Sequence, residues 1–138
     1  MNRILIISIF LFLTGFGFAQ NGKILSKKLI DISLSPYWYQ SSENDILKSN
    51  YKYLNKLDFY AITYQSDSSI VKGIIIEPRK EGIYPIVIFN RGGNAKFAKL
   101  DVSTLILFTS KLVEQGYVII ASNYREEEEY GGEDVNDV

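Results

Sequence analysis

From residue 57 onward, the apolar positions come in blocks with different periods. "LDFYAITYQ" (57–65) and "IVKGIIIEP" (70–78) are rich in β-branched and aromatic residues and are separated by the polar "SDSS". This predicts an antiparallel hairpin. Pro78 closes its second strand, "RKEG" supplies another turn, and "YPIVIF" (84–89) follows as an almost wholly apolar run. Such a run suits a central strand covered on both faces. Beyond Gly92 and Gly93, Asp101 or Ser103 can cap a helix running to about Gln115. Leu105, Phe108 and Leu112 form its expected buried stripe, with Ile106 and Val113 alongside. Gly116 stands where a helix terminator belongs, and "YVIIAS" (117–122) is again a continuous apolar strand. Strand, glycine loop, helix, strand implies a right-handed βαβ unit in a largely parallel sheet. The hairpin in front makes that sheet mixed.

The pattern before residue 57 is weaker. Ile30, Ile32 and Leu34 alternate with Asp31 and Ser33, as in a half-buried strand. "SPYWYQSSEND" reads as an aromatic-rich turn. Leu47, Tyr51 and Leu54 then fall at helical spacing, with Ser42 or Asn44 available as cap. Tyr37, Trp38 and Tyr39 have two readings, a platform for stacking a ligand or packing of this segment onto the main domain. The organisation expected is a leader over 1–19, an N-terminal segment of uncertain structure over 20–56, and one α/β unit over 57–138.

The leader expectation rests on Arg3, the apolar run from Ile4 to Leu13 broken by Ser8, and the small residues of Gly17-Phe18-Ala19. These are the parts of a secretory signal peptide cleaved after Ala19. The run is short for a membrane span of about 20 residues, so no stable anchor is expected after cleavage and the protein is expected to be exported.

Composition narrows the chemistry. The 138 residues are 46% hydrophobic and 22% charged, which is globular usage. A net charge of -1 gives no argument for nucleic acid. Seven of the 16 acids lie in residues 126–138, where no base occurs. That acidic end reads as a solvated loop or tail. The chain has no cysteine and no histidine, which removes disulfides, thiolate metal sites and the usual general base near neutral pH. No metal and no cofactor are expected.

The glycines after the apolar run, in "YPIVIFNRGGN" (84–94), serve either as a tight turn or as a place where backbone N–H groups approach an anion. No Walker or dinucleotide fingerprint accompanies them. Taken in order, "ITYQSDSSIVKGIIIEP", "YPIVIFNRGGN", a helix, "GYVIIASNYR" and "GGEDVNDV" resemble the opening of an α/β-hydrolase domain of the prolyl oligopeptidase family. The resemblance covers about residues 57 to 138. It implies that the loop after the third strand of that domain lies against a scissile carbonyl. Arg91, Gly92, Gly93 and Asn94 are then oxyanion-loop candidates, chiefly through backbone N–H groups. Arg91 has the further options of orienting substrate or tying down the loop. Tyr124-Arg125 match a strand-end Tyr-Arg of the family, whereas the acidic Glu126 to Glu129 depart from the glycine turn usual there. Asp134 and Asp137 read as residues of a helix start, not as catalytic acids.

The family's nucleophile sits in G-x-S-x-G, and no such pentapeptide occurs here. In that fold the Ser, the acid and the His all follow the oxyanion loop. Their joint absence, with no histidine anywhere, is what an N-terminal fragment of the fold would have. Stability points the same way. If half a dozen strand side chains stay uncovered at ~1.5–3 kcal/mol each, the deficit is on the order of 10 kcal/mol, comparable to a whole domain's stability. The expected function is that of the N-terminal part of an exported serine hydrolase, inactive as given, whose full domain takes a peptide or a small ester or amide. The alternative is a small exported non-catalytic binding protein.

Overall fold

The computed structural model describes residues 21–92, 99–125 and 136–137. They form mixed α/β structure. A five-stranded sheet has the order β1-β4-β5-β7-β6, from β1 (Ile24–Leu29), β4 (Leu57–Ser66), β5 (Ser69–Pro78), β7 (Val118–Ser122) and β6 (Ile86–Asn90). All neighbours are antiparallel except β6 and β7, which run parallel. The sheet is therefore mostly antiparallel with one parallel pair, which corrects the expectation of a largely parallel sheet. The short strands β2 (Ser42–Glu43) and β3 (Ile46–Leu47) form a separate ribbon. The predicted leader over residues 1–19 and the acidic Glu126 to Glu129 lie outside the described residues.

The predicted hairpin is present, with β4 and β5 paired from Leu57↔Pro78 to Ser66↔Ser69. Only Asp67 and Ser68 form the turn, and Asp67 takes a left-handed φ of 50° that short polar side chains tolerate. Between β6 and β7 runs helix α2 (Val102–Glu114). The Asp101 carboxylate caps it by accepting from the Thr104 N–H at 2.7 Å. At its other end, Gly116 at φ 89° donates to Val113 O and Tyr117 N–H donates to Leu112 O. This paired closure is a Schellman motif, which needs a residue without Cβ strain at the left-handed position.

One face of the sheet holds the core. Phe59, Ile74, Ile76, Ile119 and Ala121 pack under Val102, Leu105, Ile106 and Val113 of α2. The helix is rotated from its expected setting, since Thr109 is buried while Phe108 is 67% exposed and Leu112 only partly covered. Phe108 lies at the margin and stacks on Phe89. Gly73 allows close approach of β5 to β7, because a Cβ there would meet Ala121 O at 2.6 Å.

Three expectations before residue 57 are corrected. Ile30 to Leu34 is not a strand. The Asp31 carboxylate accepts from Ser33 N–H at 3.0 Å and from its hydroxyl at 2.6 Å, and this local turn replaces sheet pairing with a 3-10 turn over Ile32–Leu34. The strand instead lies just upstream, at β1. "SPYWYQS" is a short helix α1 (Pro36–Ser41), because Ser35 caps it and Pro36 suits the first helical position. The helix expected from Asp45 does not form. Asn44 and Asp45 both take positive φ, making a two-residue hairpin between β2 and β3, and a 3-10 helix then runs over Ser49–Lys56. Leu47 and Leu54 are nonetheless buried in the core.

β6 is the strand farthest from its expectation. Predicted to be central and covered on both sides, it is an edge strand, paired among the described strands with β7 alone. Ile86 and Ile88 on its outer face are 61% and 57% exposed.

Candidate functional site

β6 and β7 point the same way and end level, with Asn90 opposite Ser122. Their carboxyl ends deliver Arg91-Gly92 and Asn123-Tyr124-Arg125 to one edge of the molecule. Crevices at this end of parallel strands are where open α/β sheets place ligands.

Of the four residues expected in the oxyanion loop, two are described. Arg91 is buried at 6% exposure, and its Nη2 and Nε donate to the Asn123 carbonyl at 3.0 and 3.3 Å. Its guanidinium also lies 5.1 Å from the centre of the Tyr124 ring, in the range of a cation–π contact. The Tyr124 hydroxyl in turn donates to Arg91 O at 3.4 Å. These contacts hold the Arg91 side chain against Asn123 and Tyr124 at the end of β7. Gly92 is exposed, and among the described residues nothing crowds the place where a Cβ would be. Gly93 and Asn94 lie outside the described residues, as does Asp134.

The chain is described again from Lys99, and Leu100 pairs with Asn123. Its N–H donates to Asn123 Oδ1 at 2.8 Å, and Asn123 Nδ2 donates back to Leu100 O at 3.0 Å. Asn123 is itself fixed, because its N–H extends the β5 ladder to Lys72 O at 2.9 Å. Tyr124 then turns the chain at φ 53°, with its N–H donating to Ser122 Oγ at 2.9 Å.

A buried polar cluster lies beside these strand ends. Asp137 is 1% exposed and pairs with Arg125 at 2.8 Å. Its carboxylate also accepts from Arg125 N–H at 2.7 Å and from the Ser66 hydroxyl at 2.6 Å. The Tyr64 hydroxyl lies 2.8 Å from Ser122 Oγ and donates to the Asp137 carbonyl. Burial pushes the Tyr64 phenol above its usual range, against a smaller opposing effect of the Ser122 contact. Asp137, expected at a helix start, has its chain neighbours at 126–135 and 138 outside the described residues. Its carboxylate is spent on a buried ion pair, satisfied on both oxygens. Asp67, at the rim, is held below the usual carboxylate range by hydrogen bonds from Asn21 first and Asn136 second.

Asn123, Ser66 and Tyr64 were not anticipated. Asn123 had one legible signal, an amide side chain placed directly after a buried apolar strand. Ser66 and Tyr64 had none, because they reach the site from the hairpin, more than fifty residues earlier in the chain.

The aromatic trio resolves in favour of packing, with Tyr37 buried and Trp38 partly so, leaving Tyr39 exposed. On the sheet face opposite α2, where Ile62 and Ile75 are buried and Ile86 and Ile88 exposed, a cavity of about 330 Å³ is lined by Ile62, Tyr64, Ile75, Ile86, Ile88 and Ile120, among others. Among the described residues no cluster of three or more carboxylates is placed to hold a metal ion, and no helix is long and apolar enough to cross a membrane. Searches against protein families, curated proteins and solved structures found no match for this chain.

Proposed function

We propose that the chain forms the N-terminal part of an exported serine hydrolase of the prolyl oligopeptidase kind, acting on a peptide or a small ester or amide. The observation that carries this reading is that Arg91 and Gly92 leave the carboxyl end of β6 beside the end of the parallel strand β7, with the Arg91 side chain bonded to Asn123 O. Backbone N–H groups of such a loop, from Gly92, Gly93 and Asn94, are suited to an oxyanion that exists only in the transition state. One such donor is commonly worth about 2.7–4 kcal/mol. Its attacking group would come from outside this chain's own residues, since the chain holds no Ser elbow and no histidine.

The uncovered face supports the same reading. β6 has a free edge among the described strands, and Ile86 and Ile88 stand open beside it. A further strand at that edge and a helix over that face would complete the layering that parallel strands require.

Two measurements test the proposal. The transcript beyond codon 138 should encode, within a couple of hundred codons in some frame, a G-x-S-x-G elbow followed by an acid and a histidine. Their absence from every frame would overturn it. A serine-reactive phosphonate should leave this chain unlabelled, and stoichiometric labelling would overturn the assignment of the site.

The second reading, a small exported binding protein without catalysis, is favoured by one observation, the apolar cavity on the open face. A monomer of this chain that unfolds in one cooperative thermal transition supports it. An insoluble or molten chain supports the fragment.

A further inference from the structure

Among the described strands, β6 ends the sheet with a row of backbone groups that no neighbour meets. We infer that a second copy of this chain pairs there, β6 against β6, antiparallel about a two-fold axis at Ile88. The backbone sets that register. Val118 N–H donates to Pro85 O at 2.9 Å, so the main-chain groups of Pro85, Val87 and Phe89 turn toward β7. Those of Ile86, Ile88 and Asn90 alternate to the outer side. A two-fold at Ile88 sets Ile88 opposite its own copy and Ile86 opposite Asn90 of the other chain. Each such pair exchanges two N–H to O=C bonds. Pro85, without an N–H, then falls opposite Arg91 and closes the ladder at five residues a side.

Apolar exposure gathers at this edge from both faces. Ile86 and Ile88 are more than half exposed opposite α2, and Phe108 is 67% exposed on the α2 side, where it stacks on Phe89. Antiparallel pairing about this axis keeps every residue on its own face. Ile86 and Ile88 of the two copies therefore join in one apolar strip, continuous with the cavity that they line. The charges favour an identical partner. From Ile83 to Asn90 the chain carries no charge, so two such edges meet without like-charge repulsion. The same self-pairing at β1 would gather Lys23, Lys27 and Lys28 of both copies, which disfavours it. Association thus stops at two. With so few residues a side, the interface belongs at the weak end of specific association. It rests on the edge of β6 and not on the hydrolase reading, which the transcript decides separately.

The test is sedimentation velocity on the full chain, from about 1 to 100 µM, a range that spans weak specific association. The unaltered chain should pass from monomer to dimer and no further. Ile88→Lys should weaken dimerisation by at least about 10-fold, since it sets two like charges face to face. Ile70→Lys, at a position 64% exposed on the distant hairpin end, should leave it within about two-fold. Both positions are exposed, so far-UV circular dichroism should match that of the unaltered chain. An equimolar mixture of Ile88→Lys and Ile88→Glu should regain the dimer, because the two-fold sets unlike charges opposite each other. A monomer throughout, growth beyond two copies, or an equal loss in Ile70→Lys overturns the inference. A mixture that fails to regain the dimer does so too, because the axis at Ile88 would then be wrong.

Discussion

On one face of the sheet, Phe59, Ile74, Ile76 and Ile119 lie beneath α2 and the N-terminal segment and are almost wholly removed from solvent. On the other face of the same strands, Ile75 is buried within the sheet while Ile86 and Ile88 of β6 stand more than half exposed around an apolar cavity. The residue types on the two faces are nearly the same. What differs is the partner, because α2 crosses from β6 to β7 on one side only. The two edges differ in a similar way. β1 carries Lys23, Lys27 and Lys28 at or beside it, and Lys27 pairs with Glu77 at 2.8 Å, whereas β6 presents "IVIFN" without a charge. Charged side chains on an edge strand discourage further strand pairing, and their absence leaves the edge open to it. The molecule therefore has a finished side, covered and guarded by lysines, and an open side at β6.

This contrast can be broken by substitution. The largest effect is expected at the buried ion pair between Arg125 and Asp137. Asp137→Ala leaves Arg125 without its principal partner and should cost about 3–5 kcal/mol in denaturant unfolding. On the covered face, Leu105→Ala removes a fully buried side chain beneath which nothing can collapse freely, and about 2–5 kcal/mol is expected from the same measurement. On the open face, Ile88→Thr should change stability by no more than about 0.5 kcal/mol while reducing self-association in sedimentation. A cost at Ile88 as large as that at Leu105 would show that the open face is covered after all. The smallest effect is at the rim. The carboxyl of Asp67 is lowered in the folded chain, so its contribution is present above its unfolded pKa of about 3.9 and is lost as pH falls through the lower folded value. Asp67→Asn should flatten the decline of thermal midpoint below about pH 4, by lowering the midpoint slightly at pH 7 and leaving the fully acid one almost unchanged.

Part of this architecture was legible in the residues. The hairpin from Leu57 to Pro78, the Asp101 cap and the Gly116 terminator were each readable because their signals act over a few residues. The failures before residue 57 share one cause. At Asp31, Ser35 and Asn44, short polar side chains bond to nearby backbone or relax φ, and these local options overrode an apolar periodicity of only three positions. The candidate site was half legible. Arg91 and Gly92 were found from their place after an apolar run, but Asn123, Tyr64, Ser66 and the buried role of Asp137 depend on segments brought together across the sheet.

What the residues determined alone was the set of elements from Leu57 to Ser122 and the position of a glycine loop at a strand end. Period, caps and turn chemistry are properties of neighbouring residues, so they survive without knowledge of the fold. The tertiary structure alone decided which strand lies at the edge, which face of β6 is left open, and that Asn123 pairs with Leu100. Those outcomes follow from strand order and from the side on which a crossover helix packs, and an apolar run reads the same whether it ends up at the centre of a sheet or at its border.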